Sequence, residues 1–235
     1  MNSNKHKARV AGLLYLLTSI PGFFSLMYIP SHFIVQGDAA ATAHKIAASE
    51  FLFRLGMVSE LVGFTGFIFV VRALYRLFEA VHKPLASLMV TLMLVSIPIS
   101  LLNVGNELAA LTLVRGASFL SVFNRQQLDA AAMFFLNLHD SCNDIAGIFW
   151  GLWLFPFGIL IYRSRFLPRI LGALLIPAGL AYVASSVTSL LLPYYEHKVW
   201  QVAQFFTAWE LVVMLWLLIM GAKDEPLPNR TPVEA

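Results

Sequence analysis

Six stretches of nearly uninterrupted apolar residues govern what this chain can fold into. A helix crossing the hydrocarbon core of a bilayer needs about 20 such residues. The sequence supplies them at Val10–Ile29, Phe51–Val71, Pro84–Val104, Ile145–Tyr162, Pro168–Leu192 and Val199–Gly221. Backbone polar groups in lipid must be paired within helices or a closed barrel. No stretch shows the roughly ten-residue alternation of a barrel strand. The fold class that follows is all-α: a polytopic membrane bundle of six transmembrane helices with short outer helices. Composition agrees, at 59% hydrophobic and 12% charged residues, against about 45–50% and about 25% for a soluble domain. A water-soluble globule, a disordered chain, a collagen and a disulfide scaffold are excluded. The one cysteine, Cys142, cannot form an internal bridge.

Lys and Arg placement sets the expected topology, because cytoplasmic loops are enriched in them. Eleven of the sixteen fall on one face: Lys5, Lys7, Arg9, Arg72, Arg76, Lys83, Arg163, Arg165, Arg169, Lys223 and Arg230. Both termini are therefore expected inside a cytoplasmic membrane. The net charge of +3 belongs to that asymmetry, so nucleic acid is not an expected partner; the bilayer is, and a homodimer is compatible. Residues 10–29 are longer than the roughly 7–15 residues of a signal-peptide core, and no small-x-small site follows, so they read as a retained span. Residues 1–222 read as one transmembrane domain and 223–235, with three prolines, as a disordered cytoplasmic tail. Asp38 is placed to cap a short outer helix over Ala39–Ala48. Asn124 with Gln127 is placed to form a capping box. From Arg125 to Tyr162 an unbroken helix would be about 57 Å long, so it either projects outward or breaks near Ser141–Gly147. Pro98 and Pro156 are expected to kink their spans.

Ionisable residues inside spans are costly and therefore informative. At about 1.5 Å per residue, Glu60 and Glu210 come near mid-membrane, while Arg54, Glu107, Asp140 and Asp144 come near the outer surface. The spacings form stripes: Asn103 with Glu107, His139 with Asn143, and Asn137 with Asp140 and Asp144. Turning these stripes inward gives a polar pocket in the outer half of the bundle, lined by Arg54, Glu60, Asn103, Glu107, His139, Asp140, Asp144 and Glu210 and closed below by an apolar plug. Five acids against one guanidinium require protons, water or a cation. Arg54 is expected to pair with an acid on a neighbouring helix. For His139 and Asp144 the sharper reading is a divalent metal site, since imidazole and carboxylate suit Zn, Mn or Fe. The plainer reading is hydrogen bonding between helices, with no cofactor. Cys142 beside acids reads as a packing residue, and Gly147-x-x-x-Gly151 as a point of close helix approach.

Four segments also carry a resemblance: ARVAGLLYLL at 8–17, GDAAATAHKIAASEFLFRLG at 37–56, FFLNLHDSCNDIAGIFWGL at 134–152 and YRSRFLPRILGALL at 162–175. Together they resemble the DUF4386 family of bacterial multi-pass membrane proteins, including at Arg54, His139 and Asp144 and in an acidic residue at Glu60. The resemblance implies a prokaryotic inner-membrane protein and supplies no activity. Three functions stay open. One is binding or transport of a cation, a proton or a small polar solute. The second is an accessory or sensory protein with a structural polar core. The third, less supported, is an intramembrane metal-assisted enzyme acting on lipid; no Walker loop, GxSxG, HExxH or CxxC is present.

Overall fold

A computed structural model of the chain describes residues 3–223; most of the predicted tail lies outside the described residues. Those residues form helices and turns, with no strand among them. The helices are α1 (Asn4–Phe23), α2 (Ile29–Phe33), α3 (Ala39–Ala48), α4 (Glu50–Arg115), α5 (Arg125–Leu152), α6 (Leu154–Ser164), α7 (Arg169–Leu191), α8 (Glu196–Thr207) and α9 (Trp209–Ile219). A π-helical turn, Phe24–Tyr28, joins α1 to α2. Five helical segments are long and apolar enough to cross a membrane.

The 66 residues of α4 carry two of the predicted spans. Its backbone leaves helical geometry at His82 (φ −162°, ψ 93°). The His82 ring accepts a hydrogen bond from the Leu85 amide at 3.2 Å, capping the arm that follows. Pro84 falls in that arm's first turn, where its missing N–H costs nothing. The chain folds back there, and the far ends of the two arms meet where Arg115 Nε lies 3.7 Å from Glu50 Oε2. Gly116 closes the second arm in a left-handed conformation (φ 65°), which a residue without Cβ adopts at no steric cost.

Both predicted caps are present. Asp38 Oδ1 accepts from the Ala41 amide at 2.9 Å. Asn124 and Gln127 exchange bonds of 3.0 and 2.9 Å. The long helix from Arg125 runs through Ser141–Gly147 without a break. It is interrupted at Trp153 instead, because Pro156 has no N–H for the Leu152 carbonyl. Pro98, by contrast, leaves the helical assignment of α4 uninterrupted. The predicted span Val199–Gly221 divides at Ala208, where the Gln204 carbonyl accepts both the Ala208 amide and the Thr207 hydroxyl, each at 3.1 Å.

The predicted close approach at Gly147 and Gly151 is part of a longer seam against α7. A Cβ on Gly151 would stand 2.6 Å from the Gly179 carbonyl oxygen, and one on Gly147 would stand 2.5 Å from Ser186 Oγ. Two turns further along the seam, a Cβ on Gly158 would stand 2.7 Å from the Gly172 carbonyl oxygen. Small residues let the two backbones approach where apolar burial gives no driving force between helices. Two apolar clusters result. The larger holds Tyr15, Val70, Leu74, Phe78, Trp153 and Phe157. The smaller holds Ile29, Phe33, Phe53, Met57, Leu111 and Leu136.

Candidate functional site

Glu60 on the first arm of α4, Glu107 on the second and His139 on α5 each offer a ligand atom, all within 4.8 Å of one another. They are 1%, 4% and 5% exposed, respectively. His139 Nε2 lies 3.3 Å from Glu60 Oε2 and 3.4 Å from Oε1. Glu107 Oε2 is buried with no hydrogen-bond partner among the described residues, a costly arrangement for a carboxylate. The His139 ring is held from behind: Asn143 Nδ2 is 3.4 Å from Nδ1. Asn103 Nδ2 donates to the His139 carbonyl at 2.9 Å and to Asn143 Oδ1 at 3.0 Å. Asn106 Nδ2 donates to Asn103 Oδ1 at 2.8 Å. An amide chain thus fixes α5 against α4 at the level of the two glutamates.

A small cavity borders the group, lined by Ile29, Phe33, Phe53, Glu107, Leu136, His139 and Asp140 among others, with about 10 Å³ of free space. That is room for about one water. Its walls are mostly apolar, so in place of the polar pocket expected from the sequence there is a tight cleft. Asp140, its side chain 55% exposed, stands at the rim with Oδ1 3.8 Å from His139 Nδ1.

The other predicted lining residues lie elsewhere. Arg54 pairs with Glu50 one turn earlier on its own helix at 2.7 Å, its side chain 41% exposed. The expected acid on a neighbouring helix is not its partner; Glu50, four residues earlier on the same face of the helix, takes the guanidinium instead. Asp144 accepts from the Ser189 hydroxyl of α7. It is five residues from His139, nearly halfway around a helix of 3.6 residues per turn, so the predicted His139–Asp144 ligand pair does not form. Glu210, on α9, makes no hydrogen bond or ion pair with this group among the described residues. Glu107 was expected nearer the outer surface than Glu60; the two stand level. Asn143 and Asn106 are the site residues that sequence reasoning did not single out, although the i, i+4 spacing of Asn143 from His139 marked it as sharing that face.

Two carboxylates and an imidazole suit Zn, Mn or Fe. Donor atoms about 2.0–2.2 Å from one ion lie about 3–4 Å apart, so a small side-chain adjustment would close the set. No solved structure matches the chain. An uncharacterized protein of Archaeoglobus fulgidus is 32% identical over 91 residues, 37% of this chain and 53% of that protein; the chain thus spans about half the length of that relative. A family model described as a domain of unknown function, DUF4386, matches residues 10–221, and so the chain belongs to the DUF4386 family.

Proposed function

We propose that this chain is a six-span protein of the cytoplasmic membrane, with both termini inside, that binds a divalent transition-metal cation at Glu60, Glu107 and His139. The carrying observation is the unpartnered, buried Glu107 carboxylate facing Glu60 and His139. Two ionised carboxylates and a neutral imidazole leave two negative charges in a site nearly sealed from water, and one divalent ion balances them. The size of the cleft favours an ion over a polar solute or a lipid substrate. Binding is favoured over transport, because the larger apolar cluster on the cytoplasmic side is built from hydrophobic side chains and offers an ion no ligands. The Lys and Arg asymmetry supports the orientation.

Asn143 Nδ2 opposite Nδ1 leaves the imidazole proton on Nε2, directed at Glu60. With an ion held at Nε2 the ring proton would be on Nδ1, the side on which Asp140 Oδ1 stands 3.8 Å away. A carboxylate oriented in this way makes the ring a better ligand. Ligands must be deprotonated to bind, so affinity falls as pH is lowered and rises as pH is raised.

The test is titration of Mn, Fe and Zn into the purified chain in detergent, read by elemental analysis. One ion per chain is expected for the wild type and none for Glu107→Gln at equal folded yield. No binding of any of the three by the wild type, or unchanged binding by the variant, defeats the reading. A second reading, a polar core that serves helix pairing alone, is favoured by the Asn106–Asn103–Asn143 amide chain. It would be selected if Glu60→Gln and Glu107→Gln changed only the amount of folded protein.

A further inference from the structure

At the opposite end of the bundle, α1 and the first arm of α4 enclose an open groove of about 460 Å³. His6 and Lys7 from α1, with Arg72 and Arg76 from α4, form its polar end. Val10 and Leu14 from α1 and Phe69 from α4 form the other end, with Ala73 between the two arginines. Successive turns of both helices therefore pass from cationic to apolar in the same direction, which is the polarity profile of a phospholipid lying along them. None of the four basic residues has a carboxylate within ion-pair distance among the described residues. Lys7 Nζ donates to the Arg76 carbonyl at 3.3 Å, and the Arg72 guanidinium makes no hydrogen bond among the described residues.

The position of these cations is locally unfavourable. The first turn of α1 holds no acidic residue, yet places His6 and Lys7 at the positive end of the helix dipole, where an anion is preferred. Arg72 and Arg76, one turn apart, add like charge on the facing helix. A phosphate between them would relieve both repulsions. Basic pockets between membrane helices on the cytoplasmic side are suited to anionic headgroups.

We infer that this groove binds an anionic phospholipid of the inner leaflet, with the headgroup phosphate between Lys7, Arg72 and Arg76 and an acyl chain along Val10, Leu14 and Phe69. The inference does not depend on the metal reading, since the groove shares no residue with Glu60, Glu107 or His139.

Native mass spectrometry of the full chain in mixed micelles of phosphatidylglycerol or phosphatidylcholine tests it. The wild type should retain phosphatidylglycerol and lose phosphatidylcholine. Arg72→Gln with Arg76→Gln should weaken retention about thirtyfold, two charges near a membrane surface being removed. A charge-matched control, Arg163→Gln with Arg165→Gln, should stay within about twofold of wild type. If the double variant does not fold, Arg72→Gln alone, which loses no hydrogen bond, should weaken retention about fivefold. Equal retention of both lipids, an equal loss in the control, or full displacement by soluble glycerol phosphate (a site for the free anion, not the lipid) each overturns the inference.

Discussion

The two apolar clusters differ in size and in what borders them. In the larger one, aromatic rings interlock directly: Trp153 stacks on Phe157 at 5.3 Å, Phe67 meets Trp153 edge-on at 5.6 Å and Phe78 meets Phe157 at 5.8 Å. The glycine seam with α7 runs alongside, so shape alone decides the fit. The smaller cluster holds about half as many buried residues, with Phe33 against Phe53 at 5.4 Å. It lies against the layer of Glu60, Asn103, Glu107 and His139. The larger cluster packs ring against ring; the smaller stands beside the buried polar group.

Substitutions can break or sharpen this contrast. The largest effect is expected at Trp153, fully buried among rings: Trp153→Ala should cost about 3–5 kcal/mol, read as a lowered melting midpoint in detergent or as lost folded yield. A loss below about 1 kcal/mol would mean that the rings do not act as a unit. Glu107→Leu should go the other way. Replacing a buried charge that accepts no hydrogen bond by an apolar side chain of similar size should leave stability unchanged or raise it by about 1–4 kcal/mol, while metal binding disappears. A destabilised Glu107→Leu variant would show that the carboxylate supports the fold. Asn124→Ala removes one side of a capping box and should cost about 1 kcal/mol, detectable as faster amide exchange in the first turn of α5. Smallest of all, Arg54→Ala loses a half-exposed ion pair and should shift the midpoint by the equivalent of less than about 1 kcal/mol. A larger shift would return Arg54 to the list of buried, structure-determining charges.

Most of the helical layout was legible because it depends on local chemistry. Apolar run length marked the spans, Asp38 and Asn124 marked helix starts, and Gly147 with Gly151 marked a close approach. The site was legible only in pieces. The stripes Asn103–Glu107 and His139–Asn143 were visible as i, i+4 pairs, and the structure joins them through Asn103 and Asn143. Which stripe faces which depends on the rotation of each helix about its axis, and the sequence carries no local signal for that. Depth was misjudged for a related reason. The arms of α4 continue well past the apolar runs, so counting from the ends of those runs put Glu107 above Glu60. Of the stripe containing Asp140 and Asp144, Asp140 reaches the rim of the cavity, whereas Asp144 is satisfied by Ser189 instead.

The corner at His82 has a bearing on chemistry far from it. Glu60 stands about six helical turns before that corner and Glu107 about seven turns after it, with only one residue out of helical geometry between the arms. One added or deleted residue at the corner would slide the second arm about 1.5 Å and swing it about 100° relative to the first. Glu107 would then point away from Glu60. The bend is in effect a gauge block, setting the alignment of two carboxylates roughly 35 Å away along each arm.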